Sequence, residues 1–429
     1  SITHPEPDSK QPIKTVTSTD RFPAFFNPFY RNPLLPVSKR RIGEYHGRNG
    51  TCLKIAANHR LEGSEMNDLH FFLGANTPIG FVSFYDEITK TTPDSRNFLI
   101  KGGPGTGKSS LMKRIREEFA PSEDFPESIH CSSDPDSLDA LILPNAKTAL
   151  ADATPPHVIE PQYPGACETV VNLCSCWDED ALQSRRKEIL TLSRQIAACH
   201  QQCVRFLSAA HSLLSDNYVF ALNCLNPKKI AKTAAGIVSR ECRRKKDGSA
   251  VEKRRLLSAV TPKGILCFTG TIRTLCPRIY LIKDPYGAAS NLLLTAIRSL
   301  LLQYDVTLYT CWCPLNPYGK IDHILVPELG LGFVTAGSSF PVEEFPEPYR
   351  VVSFTRFTDL EELSRKKQRL RFNRRAANEI LDAAVRSLRK AKLLHDGLEK
   401  IYTSAMDFDA CEALTEQTAK ALRRWKDAL

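Results

Sequence analysis

Two kinds of hydrophobic period alternate along this chain, and they predict an α/β protein. Phe98-Leu99-Ile100-Lys101 is a short unbroken apolar run, the pattern of a buried strand. Leu111, Met112, Ile115 and Phe119 then recur at helical spacing until Pro121 stops them. Further along, Ile189, Leu192, Ile196 and Cys199 mark one amphipathic helix, and Ile380, Ala383, Ala384, Leu388 and Leu393 mark another. Both fall in charge-rich stretches, from Asp178 to Glu241 and from Asp359 to Trp425.

The pattern repeats at an offset of roughly 180 residues. Asn76-Thr77-Pro78-Ile79-Gly80-Phe81-Val82-Ser83-Phe84 returns as Val260-Thr261-Pro262-Lys263-Gly264-Ile265-Leu266-Cys267-Phe268. Phe98-Leu99-Ile100-Lys101 returns as Tyr280-Leu281-Ile282-Lys283, and Asp139-Ala140-Leu141-Ile142-Leu143-Pro144 as Asp322-His323-Ile324-Leu325-Val326-Pro327. The expected organisation is therefore a proline-rich, disordered tail over 1–65, a core over 66–178 and a helical segment over 179–255. A second core over 256–358 and a C-terminal helical segment over 359–429 follow. Met66, just ahead of Asp68-Leu69-His70-Phe71-Phe72, is the expected natural start.

Between the strand and helix of the first half lies Gly102-Gly103-Pro104-Gly105-Thr106-Gly107-Lys108-Ser109, followed by Ser110. This is a complete G-x-x-x-x-G-K-[ST] phosphate loop in its strand–loop–helix context. Its glycines let backbone N–H groups surround a triphosphate, Lys108 offers charge to the β/γ-phosphates, and Ser109 can ligate Mg²⁺. Asp152, after Ala149-Leu150-Ala151, is the candidate for holding the Mg²⁺ shell and serving catalysis with Lys108; Glu160 is a second candidate. The loop His130-Cys131-Ser132-Ser133-Asp134-Pro135-Asp136-Ser137-Leu138-Asp139 offers carboxylates for an acceptor or a water. Its plainer reading is an Asx turn in which Asp136 caps a following helix. His157 is a candidate γ-phosphate sensor, though a lone histidine is more often a packed side chain.

The second half departs from the motif. It reads Lys283-Asp284-Pro285-Tyr286-Gly287-Ala288-Ala289-Ser290, with Ala289 opposite Lys108 and Asp284 adding negative charge. Only the first half is expected to bind a triphosphate.

Composition adds less. The chain has 429 residues, a formal charge of +10, 42% hydrophobic and 25% charged residues, and no apolar run of membrane-spanning length. Its 14 cysteines imply no disulfide framework, so reduced thiols and a cytoplasmic location are expected. Cys199, His200, Cys203 and His211 cluster in sequence, but their spacing favours packing over a metal site. Basic runs around residues 240–246 and 365–375 lack interleaved aromatics, so solvated helix faces are favoured over nucleic acid. A basic residue from either helical segment could still serve as an arginine finger.

Several motifs together carry a resemblance: residues 72–86, the loop through Met112, residues 130–139, Pro156-His157-Val158-Ile159-Glu160-Pro161 and Tyr163-Pro164-Gly165-Ala166. From about Met66 onward the chain resembles a poorly characterised family of bacterial tandem P-loop ATPases. The resemblance implies duplicated P-loop cores; the expected fold is an α/β three-layer sandwich in duplicate, with the charge-rich amphipathic stretches appending a helical hairpin or bundle to each half. It also implies Mg-ATP binding and presumed hydrolysis, and assigns no physiological substrate. The expected activity is thus an ATPase with one working site, acting on a nucleoside triphosphate and on an unidentified protein or small-molecule partner. The rival expectations are a small-molecule kinase using the 134–139 loop and a nucleotide-gated binding module.

Overall fold

A computed structural model of the protein describes residues 68–88, 92–243, 250–337, 345 and 347–429, and every structural statement below concerns these. The expectations for the tail over 1–65 and for Met66 lie outside the described residues.

The first half holds β1 (Leu69–Phe71), the hairpin of β2 (Gly74–Thr77) and β3 (Gly80–Ser83), β4 (Arg96–Lys101) and α1 (Lys108–Phe119). It continues through β5 (Glu127–His130), β6 (Leu138–Leu143), β7 (Thr148–Asp152) and β8 (Glu168–Asn172). Next come α2 (Glu179–Ser184), α3 (Arg186–Asn223) and α4 (Pro227–Glu241). The second half repeats the plan with β9 (Glu252–Arg255), the hairpin of β10 (Ser258–Thr261) and β11 (Gly264–Cys267), α5 (Thr269–Leu275), β12 (Arg278–Lys283) and α6 (Ala288–Gln303). After them run β13 (Leu308–Cys313), β14 (Asn316–Val326), β15 (Leu331–Ala336), β16 (Arg350–Ser353), α7 (Leu360–Ser364), α8 (Lys367–Thr403) and α9 (Phe408–Asp427).

Two six-stranded mixed sheets result, ordered β1-β5-β6-β7-β4-β8 and β9-β13-β14-β15-β12-β16. The orders are the same when each strand is replaced by its repeat partner, so the duplication seen in the sequence is a duplication of topology. In each sheet one strand runs against its neighbours, β6 in the first and β14 in the second. Glu252–Arg255, assigned above to the helical segment, pairs in parallel with β13 and belongs to the second sheet. Leu138–Leu143 is a strand, so Asp136 caps no helix; a six-residue apolar run is too short for a helical face but suits a strand buried on both sides.

Alternation along the strands separates two kinds of core. Phe98, Ile100, Leu141 and Leu150 face α1, while Leu99, Ala140 and Ala151 join a cluster shared with Leu281, Leu325 and Val334 of the second sheet. That shared cluster takes in α5 and the segment around Phe84 and Tyr85, but no residue of the longer helices. Long helices thus cover one face of each sheet and the halves meet through the other, where a three-layer sandwich would place further helices.

The helices also change halves. α3 and α8 pair antiparallel, with Asn217 donating to the Leu370 carbonyl at 3.0 Å and Leu207 packing with Ala384 and Leu388 along the seam. Each long helix then delivers its successor to the opposite core. Ile230, Ala234 and Ile237 of α4 pack with Leu293 and Ile297 of α6, while Cys411, Ala419 and Leu422 of α9 pack with Met112 and Ile115 of α1. Isolated bridges fix both crossings, Trp177 to Met406 and Leu225 to Thr358. Among the described residues, no helix is long and apolar enough to cross a membrane.

Two buried histidines, His130 and His323, and the half-buried His70 make the fold acid-sensitive. Burial, followed by the Arg116 charge, lowers the pKa of His70 to about 4; burial and the neighbouring His70 lower His130 to about 4; burial lowers His323 to about 4. His70 Nδ1 lies 2.9 Å from His130 Nε2, so protonating both rings would set two N–H donors against each other. The unfolded chain binds these protons near pH 6.5, so their contribution is complete above 6.5 and drains as pH falls towards 4, at up to about 1.4 kcal/mol per pH unit per ring. His157, whose pKa is raised, opposes this but is a single group. Urea midpoints are expected to fall steadily from pH 7 to pH 4.5; a flat profile would place these rings in water.

Candidate functional site

The glycine-rich loop follows the buried strand β4 and ends where α1 begins. Gly107 caps α1 with φ 88°, and Gly105 has φ 69°, a left-handed backbone that side chains resist. Thr106 is buried, and its hydroxyl donates to the Gly103 carbonyl at 2.9 Å, holding the loop's curl from inside.

Lys108 folds back over this loop. Its Nζ donates to the carbonyls of Gly102 (2.9 Å) and Gly103 (2.7 Å) and lies 3.6 Å from Asp152 Oδ2. Asp152 ends β7, in register with Ile100 of β4, which explains why residues 44 apart in sequence share a site. Burial raises the Asp152 pKa, and Lys108 only partly offsets that. Its Oδ1 accepts from the Thr154 amide at 2.9 Å, leaving Oδ2 facing the lysine. Ser109 Oγ accepts from the Leu138 amide at 2.9 Å and keeps a second lone pair.

Beside them stands a pair that sequence reading did not join. His157 Nε2 lies 3.1 Å from Asp139 Oδ2, both groups buried, with the Tyr85 ring 4.5 Å from the imidazole. Burial opposes charge on His157, but the Asp139 contact, with Asp152 behind it, outweighs burial and lifts its pKa above the usual value. The recurrence of Asp139 as Asp322 was the available signal; nothing local pointed to His157 as its partner.

The other candidates are engaged elsewhere. Glu160 pairs with Lys101 at 2.7 Å. Asp136 takes Lys263 at 2.7 Å, and Asp134 lies 3.3 Å from Lys392 of α8. The run 365–375 reaches the other loop instead: Arg374 donates to the Pro285 carbonyl at 2.8 Å and Arg369 pairs with Asp216. Cys199 and Cys203 are buried in α3. His395, Asp396 and Glu399 place possible ligand atoms within 4.8 Å of one another, but Lys392 already pairs with Asp396.

α8, which begins beside the second core, ends on the first loop. A Cβ on Gly103 would stand 2.9 Å from the Tyr402 ring, and one on Gly105 only 2.8 Å from Thr403 Oγ1 and 2.9 Å from the Glu399 carbonyl. The loop's outer face is thus in contact with the last turn of a helix from the other half.

The equivalent loop of the second half is self-filled. Residues 284–286 replace 102–106, so it is two residues shorter, and the left-handed cap Gly287 matches Gly107. This register sets Ala288 opposite Lys108 and Ala289 opposite Ser109, shifting by one the alignment expected from sequence. Asp284 Oδ2 accepts from the Ser290 amide (2.8 Å) and Oδ1 from the Tyr286 amide (3.0 Å), occupying the amides an anion would use. Comparison with family models, curated proteins and solved structures returned no match.

Proposed function

We propose that the protein binds Mg-ATP at residues 102–109 and hydrolyses it, with the second loop silent, on a P-loop NTPase-like core in the first half. The observation that carries this reading is the convergence of Lys108 and the buried Asp152, 3.6 Å apart, over a loop with left-handed Gly105 and Gly107. Lys108 is held by loop carbonyls that a phosphate can displace, so the cation is already at the place where charge develops. The Ser109 hydroxyl and the Asp152 carboxylate form a hard oxygen donor set suited to Mg²⁺. When bound, Mg²⁺ supplies charge neutralisation at the β- and γ-phosphate oxygens. Asp152 would orient the attacking water, and Asp139 fixes the His157 ring next to it.

Hydrolysis is preferred to phosphoryl transfer onto a metabolite because the carboxylates proposed for an acceptor are engaged by Lys392, Lys263 and His157. The output follows from α8. Its last turn rests on the first loop and its first turns on the second, so a loop that rearranges around phosphates pushes a rod about 55 Å long.

Asp152→Asn keeps the shape of the side chain and removes the charge. Phosphate release at saturating Mg-ATP is expected to fall about 100-fold, with ATP binding in the absence of Mg²⁺ little changed. Wild-type turnover in that variant would remove Asp152 from the mechanism.

A further inference from the structure

The second loop borders a cavity of about 100 Å³, with space for several waters and a mouth that opens further. Its floor is polar and buried: Ser258, Asp284, Asp322 and Thr335 are each at least nine-tenths buried. Its rim is half-buried and carries rings and apolar surface, in Leu214, Tyr218 and Tyr286.

One floor atom points to a ligand. Thr335 Oγ1 is buried with no hydrogen-bond partner, a destabilising state unless something occupies the space beside it. Thr335 pairs in register with Ile282 as Asp152 pairs with Ile100, so it holds the position of the metal-binding candidate in the first half. A neutral hydroxyl has replaced a carboxylate there, while the fold around it is unchanged.

The charges say what the ligand is not. Asp284 already sits on the amides at the start of α6, and Ala288 stands where the phosphate-binding lysine would be. Lys320, the cation over Gly287, is neutralised by Asp322, and Arg374 is held by the Pro285 carbonyl over the Tyr286 ring. Asp284 and Asp322 balance Lys320 and Arg374, so no net positive field remains to attract a phosphate.

We infer that this cavity is a binding site for an uncharged nucleoside, with sugar hydroxyls on the polar floor and the base against the tyrosine-bearing rim. Carboxylate and hydroxyl acceptors in the floor suit the donors of a ribose, and the missing partner of Thr335 becomes a ribose hydroxyl. The flat, weakly polar base suits Tyr218, Tyr286 and Leu214. The proposal does not rest on ATP hydrolysis at the first loop.

Equilibrium dialysis of the full chain against labelled adenosine and guanosine tests it, in wild type and in Lys108→Ala so that the first loop is silent. The expected result is one nucleoside per chain, at a concentration below about 1 mM, unaffected by Lys108→Ala and not displaced by tripolyphosphate. Thr335→Val keeps the volume and removes the hydroxyl, and is expected to weaken binding about tenfold with a melting temperature that does not fall. Leu214→Trp, placed on the rim, is expected to abolish binding without touching the floor. No binding of either nucleoside at about 5 mM, binding unmoved by both variants, or displacement by tripolyphosphate would each overturn the inference.

Discussion

Replacing Lys108 by alanine is expected to lower ATP hydrolysis by about 1,000-fold, the largest single effect on activity. The side chain is mostly buried, bonded to two loop carbonyls and 3.6 Å from Asp152, so its ammonium lies inside the site and not in water beside it. There it is worth more than a surface charge, because less solvent screens it. The loss should fall on ATP affinity as well as on kcat, since the ammonium meets the β/γ-phosphates in the ground state and the charge it faces grows towards the transition state. Folding is not expected to collapse: Gly107 still caps α1, and Leu111, Met112, Ile115 and Phe119 still bury its inner face. Asp152, deprived of the lysine that lowers its pKa, should then titrate still higher. A Lys108→Ala variant that is folded and releases phosphate at the wild-type rate would contradict the proposed role.

Glu127→Ala is expected to have the largest effect on stability, about 3–5 kcal/mol. Glu127 lies in β5 of the first sheet, fully buried, yet its partners belong to the second half. Arg255 Nε donates to Oε2 at 2.8 Å, Tyr309 donates its hydroxyl to Oε1 at 2.8 Å, and Lys253 lies 3.6 Å away. Burial pushes the Glu127 pKa up, but Arg255 and Lys253 outweigh it and hold the carboxyl below its usual range. Removing the carboxylate strands Arg255, itself buried, with Glu87 at 3.7 Å as its remaining acid. Because Phe72 and Leu256 bridge the same edge, the damage should appear as loosening between the halves. Glu127→Leu combined with Arg255→Met should recover much of the loss, since it removes both charges and keeps the volume. Denaturant midpoints of the two variants and the wild type test this; a cost below about 1 kcal/mol for Glu127→Ala would mean that water reaches the pair.

What was legible in the sequence was local. The run Phe98-Leu99-Ile100-Lys101, the glycines after it and the spacing of Leu111, Met112, Ile115 and Phe119 set strand, loop and helix without outside help. The duplication was legible because both halves preserve the hairpin in which Thr77 and Thr261 bond the Gly80 and Gly264 carbonyls. Leu138–Leu143 was not, since only its antiparallel neighbours β5 and β7 decide its direction. The exchange of α4 and α9 between the halves was hidden too. An apolar face states that a helix must be covered, not by which core, and Leu422 would bury as well against either. Likewise Asp139 meets His157, and Gly105 meets Thr403, only because sheet register and the α3–α8 pairing bring distant residues together.

The equivalence of Asp152 and Thr335 also required the sheets. Aligning the second loop by sequence set Ala289 opposite Lys108, whereas the caps Gly107 and Gly287 set Ala288 there. Either way the second loop has no lysine at its helix start, and Asp284 fills its amides. The account therefore requires one triphosphate site in a duplicated chain.

Calorimetric titration of the full chain with Mg-ATP measures that number directly. The account predicts one ATP bound per chain in the wild type, still one in Asp284→Asn, and none in Lys108→Ala at concentrations that saturate the wild type. Two ATP per chain, or full binding in the Lys108→Ala variant, would contradict it.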